Sequence, residues 1–391
     1  MPPSLARADT MARFWLGRER SNDRGGEQRM TPRSKLSRRG LLGGAAAAAA
    51  VMPRPSLGQS AKAVRITLPW LANGSTLFTY VARNQGFFRK RGIEATIARG
   101  YGSVAAAQAV AAGEFDFGFV FAGGTILGAA RGLPLVALAT LGYDATMGVA
   151  LRGDSPIRSP QDLAGKTIGT VPTSAEAPYW NAFVKKAGID VSGTKMVQMD
   201  NRVLEQGLVH RQVDAITAIA TSSVPVILAM KEPCRFLLWS KSDVSLYAGQ
   251  VVTRRETLAR DPELCRAVTE ALTEGLAFAL KDPNAALDIF VREVPEIGIT
   301  PTGRENARVS QGLMHYTVLS PEAETRALGY TDLDRAGAMV DMVMTYGVPK
   351  DAVRPDPAQL FSNAFVGSVT LSKAEWDAVR AGTADYAAIL G

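Results

Sequence analysis

Histidine and cysteine are almost missing from this chain of 391 residues, which has two of each. Cys234 and Cys265 are too few for a disulfide framework or a thiolate metal site. Two readings stay open for them: one pair, or two separate buried thiols. His210 and His315 fall in neither a metal-ligand spacing nor a nucleophile triad, and both read as ordinary helix residues. G-x-S-x-G and G-x-x-x-x-G-K-[ST] are absent too, so catalytic signatures are scarce. Past the first 63 residues no run reaches the roughly 18 apolar residues of a membrane span, so the mature protein is expected to be soluble. A basic surplus is also lacking there. Residues 1–63 hold 12 Lys and Arg against 4 Asp and Glu, leaving 32 against 33 for the rest, so the overall +7 belongs to the leader alone. A near-neutral body has no general attraction for nucleic acid or anionic membranes.

The leader itself is ordered like a targeting segment. Ser37-Arg38-Arg39-Gly40-Leu41-Leu42 is a twin-arginine sequence, an Ala-rich apolar run follows over 41–52, and Ala61-Lys62-Ala63 has the small residues of a cleavage site. The run is well short of the about 20 residues needed to cross a bilayer. Export of the folded protein to the periplasm is the expectation, with Met30 an alternative start and residues 1–29 upstream of the signal. No cysteine follows the cleavage site, which argues against a lipid anchor.

Beyond residue 63, short apolar strands alternate with helix-like stretches, the signature of an α/β fold with parallel strands. Strands are expected at 64–69, 93–98, 115–121 and 135–141, with helices at 77–84, 103–113 and 125–131. A second unit begins near Ala150, with strands at 167–171, 195–199, 215–219 and 235–239. After a strand at 249–253 the chain reads as mostly helical, at 262–280, 284–294, 305–316 and 332–346. The expected domains are residues 1–63 as extension and signal, 64–148 as lobe 1, 149–248 as lobe 2, and 249–391 returning to lobe 1 with C-terminal helices.

Several segments in order carry a resemblance. Trp70, Gly86-Phe87-Phe88-Arg89-Lys90-Arg91-Gly92-Ile93, Gly113-Glu114-Phe115-Asp116-Phe117-Gly118, Arg131-Gly132-Leu133-Pro134, Leu163-Ala164-Gly165-Lys166-Thr167-Ile168-Gly169 and Val213-Asp214-Ala215 form a collinear series. It resembles the periplasmic solute-binding proteins of ABC importers, the nitrate, taurine, alkanesulfonate and thiamine-pyrimidine-precursor family, whose fold also includes the thiamine-pyrimidine synthases. The resemblance runs from about Val64 to Phe365, and Ser362-Asn363-Ala364-Phe365 is a loose form of a segment of the pyrimidine branch. It implies an α/β, two-lobed periplasmic binding protein of type II, with a ligand cleft between lobes and a helical C-terminal region. Most of the markers read as turns and helix stops, so they identify the scaffold rather than the ligand. Val120 and Gly124 stand nearest the synthase branch's cofactor-linked lysine and substrate histidine, and Thr76 stands where that branch tends to have a histidine. The synthase chemistry is therefore not expected here, and no cofactor or metal is.

Ligands of such sheets bind beyond the C-terminal strand ends, where helix N-termini offer free N–H groups and partial positive charge. That rule selects Trp70, Asn73 and Thr76; Tyr101, Gly102, Ser103 and Val104; Phe121, Ala122 and Thr125; and Thr173 and Ser174. Each polar member also reads as a plain helix cap. Tyr143, Tyr179 and Trp180 add aromatic surface for stacking, with core packing as the equal alternative, and Arg202 is a strand-end cation for an anion or for solvent. No carboxylate cluster suggests a grip on a cationic amine. The expected ligand is a neutral or anionic organic solute, pyrimidine-like, sulfonate-like or an aromatic acid. The chain is expected to be a monomer, handing it to a membrane permease and ATPase. Gly100-Tyr101-Gly102-Ser103-Val104-Ala105 also matches G-x-G-x-x-A, so an exported dinucleotide oxidoreductase is the competing reading. It ranks lower because the motif follows the second strand and no strand-ending acid comes about 20 residues later. A ligand-sensing domain for a membrane receptor is a third.

Overall fold

The computed structural model describes residues 61–172 and 174–391. The twin-arginine segment, Met30 and Thr173 lie outside the described residues.

β1 (Lys62–Thr67), β2 (Ile93–Ala98), β3 (Phe117–Phe121) and β4 (Leu135–Thr140) alternate with α1 (Leu77–Asn84), α2 (Ser103–Ala111) and α3 (Ala122–Ala130). A second set follows: β5 (Met147–Arg152), β6 (Thr167–Thr170), α4 (Trp180–Ala187), β7 (Lys195–Gln198), α5 (Leu204–Val209), β8 (Ala215–Ile219), α6 (Ala220–Ala229) and β9 (Cys234–Leu238). β10 (Gly249–Arg254) then returns to the first set. Lys62 already pairs with Ile93, so a cut after Ala63 would remove the first two residues of β1.

Two five-stranded sheets result, ordered β2-β1-β3-β10-β4 and β7-β6-β8-β5-β9. Both are mixed, which corrects the expectation of parallel strands. β10 runs antiparallel to β3 and β4, and β5 antiparallel to β8 and β9. These are the strands by which the chain enters each sheet from the other one. No α-helical crossover precedes either of them, only the short helical turn Trp239–Ser242 before β10, and each arrives in the opposite sense. The two crossings run side by side, Ala145 N donating to Leu246 O at 2.9 Å and Ala248 N to Gly142 O at 2.9 Å.

The C-terminal part is helical: α7 (Arg255–Arg260), α8 (Pro262–Lys281), α9 (Pro283–Glu293), α10 (Pro301–Val318), α11 (Pro321–Thr325), α12 (Leu333–Tyr346), α13 (Pro357–Leu360), α14 (Lys373–Gly382) and α15 (Ala384–Ile389). Asp261 and Asp282 start α8 and α9, each accepting from a first-turn N–H at 2.9 Å with proline next in line. The returning chain does more than cover lobe 1. Val309 and Leu313 of α10, Tyr386 of α15 and Leu390 join the lobe 2 core around Leu208, Ile216, Val224 and Phe236. It also shields β4, an edge strand whose six residues are all buried, through bridges from Gly329 and Phe361. Arg335 of α12 reaches both crossings, donating to Tyr143 O at 2.6 Å and Ser245 Oγ at 3.2 Å.

Cys234 and Cys265 are separate, free and buried, and burial pushes both thiols up to about 12. Among the described residues, no helix is long and apolar enough to cross a membrane.

Candidate functional site

The site grows from two loops at the strand ends of lobe 1. Gly100 N donates to Trp70 O at 3.0 Å and Gly102 N to Pro69 O at 2.8 Å, tying 69–70 to 100–102. A Cβ on Gly100 would sit 1.9 Å from Leu68 O, and Gly102 holds φ +114. These glycines therefore serve backbone packing, which removes the need for a pyrophosphate to explain them. α2 starts directly after, and Ser103 Oγ accepts from Phe121 N at 3.3 Å across to the end of β3. α3 then lies against the start of α2. A Cβ on Gly124 would be 2.8 Å from the Ser103 carbonyl carbon.

Between the first turns of α2 and α3, the crossings and lobe 2 lies a cavity of about 250 Å³. Lobe 1 lines it with Tyr101 to Ala105, Gln108, Phe121, Gly123, Gly124 and Leu127. The crossings and β5 add Ala145, Met147 and Leu246, and lobe 2 adds Ser174, Ala175, Pro178, Tyr179 and Ile219. None of these side chains carries a charge. The polar groups are the first-turn N–H positions of two helices, Ser103, Ser174, Gln108 and the Tyr179 hydroxyl. Tyr179 is 2% exposed, and its hydroxyl has no hydrogen-bond partner among the described residues. It comes from lobe 2 yet would lie 3.1 Å from a Cβ on Gly123 of lobe 1. Tyr101 stands at the rim, 73% exposed, with the Arg99 guanidinium 4.4 Å from its ring centroid.

Behind the lobe 2 wall sits a carboxyl that nothing in the sequence singled out. Glu176 is buried, with Ser174 Oγ 2.5 Å and Thr217 Oγ1 3.3 Å from Oε1, while Oε2 has no partner. Ser174 Oγ also lies 2.7 Å from Val171 O, so its one hydrogen is shared between that carbonyl and the carboxyl. Burial, with a smaller push from Glu205, raises the pKa of Glu176, while the Ser174 and Thr217 hydroxyls pull the other way.

Of the sequence candidates, Tyr101, Gly102, Ser103, Val104, Phe121 and Ser174 meet at this cavity. The others do not. Asn73 and Thr76 cap each other across the short helix Gly74–Thr76. Trp70 is 36% exposed beside Gly100, outside the lining. Ala122 is buried with its N–H held by Tyr247 O, and Thr125 Oγ1 turns back to Phe121 O at 3.4 Å. Tyr143 is buried, donating to Tyr330 O at 2.9 Å and packing edge-on against Tyr247. Trp180 belongs to a lobe 2 cluster with Phe183 and Trp239. Arg202 is a solvated ion pair with Asp200 at 3.0 Å, its side chain 85% exposed. Thr173 is outside the described residues. Sequence reasoning missed Leu127, Met147, Ile219 and Leu246, apolar residues without a chemical signal; Gly123 lies inside the 121–125 segment it selected. It named Tyr179 only among the aromatics. His210 is exposed on the last turn of α5. His315 is buried in α10, where desolvation pushes it down to about 4, and neither histidine borders the cavity.

Comparison with known proteins points the same way. A family model described as NMT1/THI5 like matches residues 73–286. The riboflavin-binding protein RibY of Chloroflexus aurantiacus is 24% identical over 82% of this chain and 91% of its own. The 4-amino-5-hydroxymethyl-2-methylpyrimidine phosphate synthase of Legionella pneumophila is 24% identical over 60% of this chain and 74% of its own. Among solved structures, the periplasmic aliphatic sulphonate binding protein SsuA of Escherichia coli superposes with a TM-score of 0.59 at 14% identity, over 76% of this chain and 97% of that one. The two-lobed architecture is thus the periplasmic binding fold, and with the family model spanning more than half its residues, the chain belongs to the NMT1/THI5-like family.

Proposed function

We infer that this protein is the substrate-binding component of an ABC-type importer, capturing a small organic solute with a largely apolar body between its lobes. The observation that carries the reading is the uncharged cavity of about 250 Å³ walled by both lobes and by the crossings that join them. It is slightly below the roughly 300–1,000 Å³ of common ligand pockets, which suits a one- or two-ring solute and leaves no room for a dinucleotide. Phe121, Leu127, Met147 and Leu246 supply apolar walls, while first-turn N–H groups and the Tyr179 hydroxyl orient polar edges. Solute contacts reach both walls at once, so affinity is higher for the closed arrangement and binding favours closure. No Lys or Arg lines the cavity, so an anionic group would rest on the first-turn N–H groups of α2 and α3 alone. The twin-arginine leader supports delivery to the periplasm, and an inner-membrane permease and ATPase are the partners this role requires.

Ser103 Oγ is occupied by Phe121 N, Ser174 Oγ is divided between Val171 O and the Glu176 carboxyl behind the wall, and no histidine, lysine or cysteine lines the cavity. The role is therefore read as non-catalytic.

A thermal-shift panel tests it, with pyrimidines, aromatic amides, riboflavin, alkanesulfonates, nitrate and NAD. A solute at a thousand times its dissociation constant stabilises by about 4 kcal/mol. A shift with one small-solute class is expected. A shift with NAD alone would refute the reading.

A further inference from the structure

Behind Phe121 and Ala145, which it shares with the main cavity, lies a smaller void with room for about one water. It sits where β3, both crossings, α6 and α10 meet, and its lining includes Asp144, Thr146, Thr221, Ser75 and Thr317. Thr146 is 1% exposed and Thr221 6%, yet neither hydroxyl has a hydrogen-bond partner among the described residues. Both residues border the void, which is where a partner for their hydroxyls would sit. Thr146 also holds φ +48, a left-handed conformation that a β-branched residue rarely adopts. Asp144 Oδ1 fixes it there, accepting from Thr146 N at 2.7 Å. Strain of this kind persists where the surroundings impose it, and it marks functional positions.

The polar groups around this void are a carboxyl and hydroxyls, with the Met314 thioether beside them. No Lys or Arg lines it or the larger cavity. The charged group facing Asp144 from elsewhere is Arg335, which is engaged with Glu322, Tyr143 O and Ser245. Burial raises the pKa of Asp144, against hydrogen bonds from Ser240 and Thr146 N, so a cation seated beside it is what would hold the carboxyl ionised. A site with a carboxyl, further acceptors and the volume of a water fits a compact cationic group rich in N–H donors.

We propose that this void is the polar end of the ligand cleft and takes the primary ammonium group of a solute whose apolar body fills the main cavity. The proposal rests on the cleft being the solute site. It reverses the expectation drawn from the absence of a carboxylate cluster in the sequence. One carboxylate suffices, because two unsatisfied threonine hydroxyls complete the shell that an ammonium needs.

Isothermal titration of the purified protein with benzylamine and phenethylamine, against benzyl alcohol and phenylacetate, tests it. The amines should bind about ten- to a hundredfold tighter than the alcohol and the acid, as a charge-assisted hydrogen bond implies. Asp144→Asn should abolish that preference, and the near-isosteric Thr221→Val should reduce it, with both variants melting cooperatively. Phenylacetate or benzyl alcohol binding as tightly as the amines overturns the proposal and leaves the solute cleft standing. So does an amine preference that survives both substitutions, which would mean that the void holds a water only. If neither these probes nor any member of the thermal-shift panel binds, the cleft reading falls and takes this proposal with it.

Discussion

Gly123 and Gly124 are adjacent on the first turn of α3, yet alanine at the two positions should act on different properties. A Cβ on Gly124 would lie 2.8 Å from both the carbonyl carbon and the Cβ of Ser103 and 2.9 Å from its carbonyl oxygen. Two of these are backbone atoms at the start of α2 and cannot swing aside. At Gly123 the nearest atoms are the ends of side chains, Tyr179 Oη at 3.1 Å and Leu246 Cδ1 at 3.2 Å. Both substitutions gain about 1 kcal/mol of helix propensity. For Gly124→Ala, overpacking against backbone costs about 1–3 kcal/mol and has to separate α2 from α3, so a net loss of about 1–2 kcal/mol is expected. Gly123→Ala should leave stability within about 0.5 kcal/mol of the parent, because Tyr179 can shift. Tyr179 belongs to the opposite lobe, however, so the new methyl holds the cleft open and solute affinity should fall about tenfold or more. Urea titration followed by tryptophan fluorescence measures the first effect, and calorimetry with whichever solute the thermal-shift panel selects measures the second. A Gly124→Ala protein as stable as the parent would refute the close approach of α2 and α3. Equal solute affinity in the Gly123→Ala protein would show that Tyr179 does not meet lobe 1 at the ligand.

Two further predictions concern buried ionisable groups. Burial raises the pKa of Glu176, so the folded protein binds its proton more tightly than the unfolded chain, and stability falls as pH rises from about 4.3 toward the folded value. Glu176→Gln should remove that slope, its advantage over the parent growing above pH 5 and vanishing below pH 4 in denaturant titrations. His315, pushed down to about 4 from 6.5, has the opposite sign: its neutral form is favoured, and stability is lost as pH falls through that window. The loss by pH 4 is about 3 kcal/mol, and His315→Leu should flatten it in the same titrations.

The limits of α1 and β2 are legible in the sequence because apolar periodicity and the glycines at 86 and 92 frame them. β5 is not. All six of its residues are buried, so the alternation that betrays a half-exposed strand is absent, and Gly148 within it makes room for the Phe236 ring. The resemblance implied two crossovers between the lobes, but missing β5 hid where the first one runs, and with it the mixed sheets and Ala145, Thr146 and Met147 at the site. The rule that ligands meet helix N-termini beyond strand ends found Tyr101 and Ser103, since it depends on local order alone. Aromatic identity misled at Trp180, because a tryptophan in a core and one in a cleft have the same neighbours in sequence. Asp144 and Thr221 are 77 positions apart, and only the two crossing segments beside α6 bring them to one void.

One serine on α10 ties the lobes together through a defect in another helix. Pro225 lies inside α6 and has no N–H for Thr221 O, the carbonyl four residues back, which its ring also pushes aside. Ser310 Oγ donates to that carbonyl at 2.8 Å and accepts from Ser75 N of lobe 1 at 3.1 Å. Ser75 N has a second acceptor, Asn73 Oδ1 at 2.9 Å, whereas Thr221 O depends on Ser310. Ser310 is 1% exposed, so Ser310→Ala should cost about 1–3 kcal/mol, the penalty of a buried unsatisfied carbonyl. Pro225→Ala restores an N–H to α6. In that background the helix satisfies Thr221 O itself, and Ser310→Ala should cost only a few tenths of a kcal/mol, within the usual spread for a residue that has lost its partner. A double-mutant cycle by urea unfolding then gives a coupling of about 1–2 kcal/mol between a proline and a serine 85 positions apart. Additive losses would mean that Ser310 acts through Ser75 alone. The tie between α10 and the inserted lobe would then rest on the apolar contacts of Val309 and Leu313, and the proline would be a kink without a partner.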